Sequence, residues 1–181
     1  IVDENAAATD LRVLDMGTGS GCIAISLALA LKFPHVTATD ISPAALAVAQ
    51  ENAASLKANV NFCRADILQA AQNPPVEVFD IIVSNPPYIC QSEISGMEAH
   101  VTEHEPHTAL FVPDDDPLRF YKAIARYATQ ALAPDGKLYF EINSRFGDAT
   151  YTLLKSSGFA DVCIGNDQYG RPRFAKATKP A

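Results

Sequence analysis

The tetrapeptide Asn85-Pro86-Pro87-Tyr88 follows an apolar run and brings together two hydrogen-bond acceptors, a stiff backbone and an aromatic ring. For an amide or amino nitrogen to attack an electrophile, electron density must be drawn back onto it, and acceptors for its N–H groups do this. The Asn85 side-chain oxygen and the Pro86 carbonyl are two such acceptors on adjacent residues. The prolines restrict the backbone that aims them, and the Tyr88 ring can stack on a planar group. No strong base is needed, because a nitrogen that has gained a methyl group is acidic and sheds its proton to water. Taken alone the tetrapeptide is also an ordinary turn, so its meaning depends on its surroundings.

Seventy residues earlier, Asp15-Met16-Gly17-Thr18-Gly19-Ser20-Gly21 places three glycines where side chains would block a ligand from the backbone. The dinucleotide fingerprint needs GxGxxG; here the third glycine comes one residue earlier and an acidic residue precedes the turn. Asp15 would repel a pyrophosphate but suits a cationic amino-acid head, which favours S-adenosylmethionine with its ammonium and sulfonium. The rival reading is a tight turn made for helix packing. Asp40 stands about twenty residues on, at the end of a second strand, where a carboxylate can accept both ribose hydroxyls. Its rival role is a helix cap, a position shared with Ser42. Asp66, after a third strand, suits the adenine amino group, with capping again the alternative. No metal site is expected: His100, His104 and His107 lack the spacing of a helical HExxH pair and are interrupted by Pro106, and Asp114-Asp115-Asp116 reads as a solvated charge run.

These residues need elements to hold them. Leu11 to Asp15 reads as a strand leading through the glycine turn into a helix that ends near Phe33-Pro34. Val36 to Asp40 is a second strand, and Ser42 with Pro43 opens a helix to about Lys57. Val60 to Cys63 is a third strand, followed by a short helix or turn from Asp66 that dies at Pro74-Pro75. Phe79 to Ser84, apolar on both faces, is a central parallel strand. A long connection runs from Ile89 to Pro117, then a helix from Leu118 to Leu132, a turn at Pro134-Asp135-Gly136, and a fifth strand from Lys137 to Ile142. A helix from Phe146 to Ser156 precedes two strands near Asp161–Ile164 and Arg173–Ala177. This alternation predicts an α/β fold: a doubly wound, mostly parallel seven-stranded Rossmann-like sheet with a C-terminal antiparallel hairpin. Residues 1–10 are expected to be a disordered or linker lead-in, and 11–181 a single domain. All the candidate residues then follow strand ends and meet on one rim.

A length of 181 residues, 48% of them hydrophobic, suits one domain with a core of its own. The formal net charge of -7 has the wrong sign for bulk attraction to nucleic acid. Cys22, Cys63, Cys90 and Cys163 are scattered without a CxxC pair, which points to a reducing, cytoplasmic compartment. The longest apolar segment, Cys22 to Leu31, is too short to span a bilayer, and no membrane contact is expected.

In combination, Val13-Leu14-Asp15-Met16-Gly17-Thr18-Gly19-Ser20-Gly21-Cys22-Ile23-Ala24-Ile25, Asp40-Ile41-Ser42, Asn85-Pro86-Pro87-Tyr88-Ile89 and Glu105-Pro106-His107-Thr108-Ala109-Leu110 resemble the HemK/PrmC peptide chain release factor glutamine methyltransferases. The resemblance runs from about Leu11 to the closing hairpin. It implies a class I methyltransferase using S-adenosylmethionine, with the glutamine amide of the release factor GGQ motif as substrate. It places cofactor contacts on Asp15, Gly17, Gly19, Asp40 and Asp66; with their neighbours Thr18, Gly21, Ile41, Ile67 and Asn85 these form the expected cofactor site. The catalytic loop falls on Asn85, Pro86, Pro87 and Tyr88. Family members also carry an N-terminal helical domain, so this chain is expected to correspond to the catalytic domain alone. His104 stands where the family usually has an aromatic residue. Rival readings are a ribosomal-protein glutamine, an exocyclic amino group of adenine or guanine, and a cofactor-binding module without turnover.

Overall fold

The computed structural model describes residues 1–73, 77–96 and 111–181. The strands are β1 (Arg12–Met16), β2 (His35–Asp40), β3 (Val60–Arg64), β4 (Phe79–Ser84), β5 (Ile89–Cys90), β6 (Phe111–Val112), β7 (Leu132–Glu141), β8 (Ala160–Asn166) and β9 (Pro172–Thr178). The helices are α1 (Cys22–Ala30), α2 (Pro43–Leu56), α3 (Ile67–Ala70), α4 (Arg119–Ala131) and α5 (Gly147–Ser156). Seven strands form one sheet in the order β3-β2-β1-β4-β7-β9-β8. The first five of that order run parallel, and β9 pairs antiparallel with both β7 and β8. This is the expected doubly wound sheet with its closing hairpin.

Alternation along the central strands builds the two faces. Val13, Ile81 and Val83 pack with Val36 and Ala38 against Ala24 and Leu27 of α1. Leu14, Met16 and Ile82 turn to the other face and join Leu138, Phe140, Tyr121, Ile124 and Leu154. Pairs such as Val13 opposite Ile81 and Leu14 opposite Ile82 keep the two strands' faces in step. The strand order reverses between β1 and β4, so the loops leaving these two strands bound a crevice at the switch point.

Three local expectations change. Residues 1–10 are not a disordered lead-in: Asp3–Asn5 form a 3-10 turn, and Glu4 accepts from the Tyr139 hydroxyl and Lys176, each at 2.8 Å. The partners lie far away in sequence, beyond any local pattern. The long connection after Ile89 contains β5, which pairs parallel with β6. The turn at Pro134-Asp135-Gly136 lies within β7, where the pairing with β4 shifts register. Pro74-Pro75 and the histidine cluster at 100–107 lie outside the described residues. The four cysteines are free thiols, with Cys90 alone buried. Among the described residues no helix is long and apolar enough to cross a membrane.

Gly21, at the start of α1, has φ +86°, and a Cβ there would meet Ile25 Cδ1 at 3.0 Å and Ala49 Cβ of α2 at 3.1 Å. Gly21→Ala combines left-handed strain with a clash between helices, and is expected to lower stability by about 1–3 kcal/mol. A urea denaturation midpoint equal to that of the parent would refute this packing role.

Candidate active site

The glycine turn is tied down by its own backbone. The amides of Gly17 and Thr18 both donate to the Thr39 carbonyl, at 2.8 and 2.9 Å, so the turn leaves β1 and folds across the end of β2. Gly19 N–H then donates to Asp40 Oδ2 at 2.9 Å. The other oxygen, Asp40 Oδ1, accepts from Ser42 N–H at 2.9 Å, and the Ser42 hydroxyl accepts from Ala45 N–H to cap α2. Asp40 therefore joins the glycine turn to the α2 entry while staying partly exposed, and each of its oxygens keeps lone-pair capacity for a further donor. A Cβ on Gly19, where φ is +57°, would meet nothing within 4 Å, so the turn opens outward there. A Cβ on Gly17 would face Ile67 Cδ1 at 3.5 Å, which brings α3 beside the turn. The room left by Gly21 is taken by Ala49.

Asp66 caps α3, its Oδ1 accepting from Leu68 N–H at 2.8 Å. The preceding Ala65 donates its N–H to the Asp40 carbonyl, which keeps Asp66 and Asp40 at neighbouring strand ends. Ile41 projects an exposed apolar side chain beside Asp40.

Asp15 is fully buried on the α1 face of the sheet. Its Oδ2 accepts from the Thr18 hydroxyl at 2.6 Å and from Ala24 N–H at 3.2 Å. α1 has no capping side chain at Gly21, so the carboxylate from β1 satisfies one of its free amides and faces the positive end of its dipole. Oδ1 is buried without a partner among the described residues. Burial pushes the carboxyl up to about 6, against the opposing pull of the Thr18 and Ala24 hydrogen bonds, with the Asp40 charge adding a smaller rise.

Across the crevice, the Ser84 hydroxyl donates to the Met16 carbonyl and ties the end of β4 to the glycine turn. Asn85 comes next and is exposed; neither its side chain nor the Pro86 carbonyl has a hydrogen-bond partner among the described residues. Pro86 is buried, while Pro87 and Tyr88 are half-buried. The Tyr88 hydroxyl donates to Glu141 Oε1 at 2.9 Å. Glu141, Asn143 and Arg173, which contact Tyr88, carried no signal in the sequence: they stand 53, 55 and 85 residues away from it. Of the aspartate triplet, Asp114 accepts from Ser92 and Asp116 pairs with Lys122.

The family model for the methyltransferase small domain matches residues 2–104, more than half of the chain. The chain belongs to that family. This methyltransferase domain is 47% identical, over 99% of its length, to the release factor glutamine methyltransferase of Bacteroides thetaiotaomicron. It is 45% identical, over 97%, to the protein of the same name in Flavobacterium psychrophilum. It spans 63% and 62% of the lengths of those two relatives. Among solved structures, a methyltransferase from Pyrococcus furiosus superposes with a TM-score of 0.69 at 17% identity, covering 96% of this chain and 77% of that one, which is agreement in fold.

In this methyltransferase domain the burial of Asp15 has a thermodynamic signature. Its folded-state value of about 6 lies above the ordinary 3.8, so the folded state holds the proton more tightly and stability falls as pH rises through that window. Asparagine keeps an acceptor for Thr18 and Ala24 and removes the charge. Between pH 4 and pH 8, the unfolding free energy of Asp15→Asn relative to the parent is expected to move in the variant's favour by about 1–3 kcal/mol. Parallel pH profiles in urea denaturation would show that Asp15 does not titrate in this range.

Proposed function

We propose that this domain transfers a methyl group from S-adenosylmethionine to the side-chain amide nitrogen of the glutamine in the GGQ motif of peptide chain release factors, in the cytoplasm and without a metal. The observation that carries the proposal is the pair of acceptors, Asn85 and the Pro86 carbonyl, without partners among the described residues, on a loop joined to the glycine turn through Ser84. The similarity to release factor glutamine methyltransferases supports the choice of substrate.

The residues fit the cofactor. Asp15 Oδ1 is a buried acceptor with no partner among the described residues, suited to the pull of a nearby ammonium, and Gly19 leaves the turn open on its outer side. Asp40 would take the ribose hydroxyls, with Ile41 against the adenine ring. Ile67 would flank the turn, and Asp66 would offer its remaining lone pairs to the adenine amino group. When bound, S-adenosylmethionine supplies an electrophilic methyl group on a sulfonium. Asn85 and the Pro86 carbonyl accept the two amide N–H groups of the glutamine and return lone-pair density to its nitrogen. Pro86 and Pro87 hold that geometry, and the Tyr88 ring packs on the planar amide. Burial and the neighbouring Glu141 carboxylate push the Tyr88 phenol up to about 12, so it stays protonated at neutral pH and the departing proton goes to water. The net charge of -7 favours a protein over a nucleic acid as partner.

Labelled S-adenosylmethionine is to be incubated with the protein and, separately, release factor, ribosomal proteins or DNA, with the label mapped by mass spectrometry. Label on the GGQ glutamine is expected; label on DNA or on another protein residue overturns the substrate. Asn85→Ala should lower turnover by about 100-fold, on the scale of losing one positioned polar group, with little change in S-adenosylhomocysteine affinity. Asp40→Ala should weaken that affinity in calorimetry, and unchanged binding would remove Asp40 from the cofactor site.

A further inference from the structure

The loop carrying Asn85 is held at its far end by side chains that the reaction as described does not use. The Tyr88 hydroxyl donates to Glu141 Oε1 at 2.9 Å, and Arg173 Nη1 lies 3.4 Å from the same hydroxyl oxygen. The Tyr88 carbonyl accepts from Asn143 Nδ2 at 3.1 Å, and Asn143 also donates to Glu93 Oε2 at 3.1 Å. Cys90 N–H closes on that Glu93 oxygen at 2.9 Å. Both the ring tip and the backbone of Tyr88 are thus pinned.

The pins come from the rigid part of the sheet. Glu141 ends β7, whose Phe140 pairs with Ser84 of β4, and Glu141 itself pairs with Phe174 of β9, next to Arg173. Arg173 lies 3.9 Å from Glu141 Oε1 and 3.9 Å from Asp167 Oδ2. Asp167 shapes the β8–β9 turn by accepting the amides of Tyr169 and Arg171 at 2.9 and 3.0 Å. The hairpin therefore aims an arginine at the tyrosine. Four residues, two of them prolines, run from Asn85 to Tyr88 between the Ser84 tie to Met16 and this clamp. A segment this short and stiff, fixed at both ends, has little freedom in where its acceptors point.

We propose that Glu141 and Arg173 are positioning residues for methyl transfer, holding the Tyr88 hydroxyl so that Asn85 and the Pro86 carbonyl meet the substrate nitrogen in line with the methyl group. The proposal rests on the methyl-transfer reading above. Neither residue need touch substrate or cofactor. Its signature is a loss of kcat without a loss of cofactor binding, since misplacement of reacting groups by about 1 Å costs on the order of 100-fold in rate.

The test uses two readouts. One is the 13Cζ resonance of Tyr88 in tyrosine-labelled protein, assigned by its loss in Tyr88→Phe. The other is kcat on the substrate that the wild-type protein methylates, with S-adenosylhomocysteine affinity and the urea midpoint measured in parallel. Glu141→Ala and Arg173→Ala are expected to move the resonance and lower kcat by about 10- to 100-fold, with affinity and midpoint close to wild type. Glu141→Gln, which keeps an acceptor for the hydroxyl, is expected to recover most of the rate. An unmoved resonance, an unchanged kcat, or a kcat lost only together with affinity or midpoint overturns the proposal. If the wild-type protein methylates no substrate, the reading beneath the proposal fails; active wild type with indifferent variants refutes the positioning role alone.

Discussion

The carboxylate of Asp15, sealed beneath the glycine turn, accepts the Thr18 hydroxyl and the Ala24 amide and so joins the end of β1 to the turn above it and to the first turn of α1. The rest of the rim hangs on that junction. With α1 seated, the amides of Gly17 and Thr18 reach the Thr39 carbonyl, and Gly19 reaches Asp40. A buried charge with one oxygen unpartnered among the described residues is costly, and a tighter core would place a leucine or asparagine there. Such strain belongs at positions that a ligand relieves. In a domain that binds a cationic methyl donor, a negative charge held under the turn attracts what the turn's open side admits.

The sheet divides the work between its halves. From β1 to β3, the strand ends present acceptors one after another, Asp15, Asp40 and Asp66; Asp15 and Asp66 also satisfy an amide of the helix that follows, and Asp40 takes the amide of the cap residue Ser42. Ser42 takes the cap of α2 in place of Asp40, and for Asp66 capping and binding are not exclusive, because a carboxylate that accepts an amide keeps lone pairs for a ligand. From β4 to β9 the strand ends build a loop and its support. The β1–β4 ladder joins the halves, and Ser84 Oγ on the Met16 carbonyl extends that joint to the rim, next to the Asn85 loop.

The half governed by local rules was legible in the sequence. Glycines at positive φ, a Ser42 cap followed by Pro43, and aspartates at strand ends are all set within a few residues, and the strands and helices followed from their periodicity. The supports of the Asn85 loop were not legible, because Glu141, Asn143 and Arg173 act across 53 to 85 residues and read locally as ordinary residues at strand ends. Glu4 escaped for the same reason: its partners Tyr139 and Lys176 are 135 and 172 residues away. The role of Gly21 was hidden too, since only the packed helices show that Ala49 occupies the space its missing side chain leaves.

On the methyl-transfer reading proposed above, the groups around Asn85 restrict which nitrogen the site would suit. Tyr88 is pushed up to about 12 and donates to Glu141, Glu93 accepts from Cys90 and Asn143 and pairs with Arg145, and Asp15 is sealed from solvent. Each of these carboxylates is sealed or already engaged, Glu141 by the Tyr88 hydroxyl and by Arg173 at 3.9 Å, rather than standing free as a base to take a proton before attack. A lysine ammonium, with an ordinary value of about 10.4, carries no lone pair at neutral pH and would need such a base. A planar amide or aromatic amino nitrogen does not: its N–H groups meet Asn85 and the Pro86 carbonyl, its lone pair is released from conjugation, and its surplus proton is lost after the methyl group arrives. On that reading a loop of acceptors suits planar nitrogen, and the net charge of -7 favours a protein amide over a nucleobase.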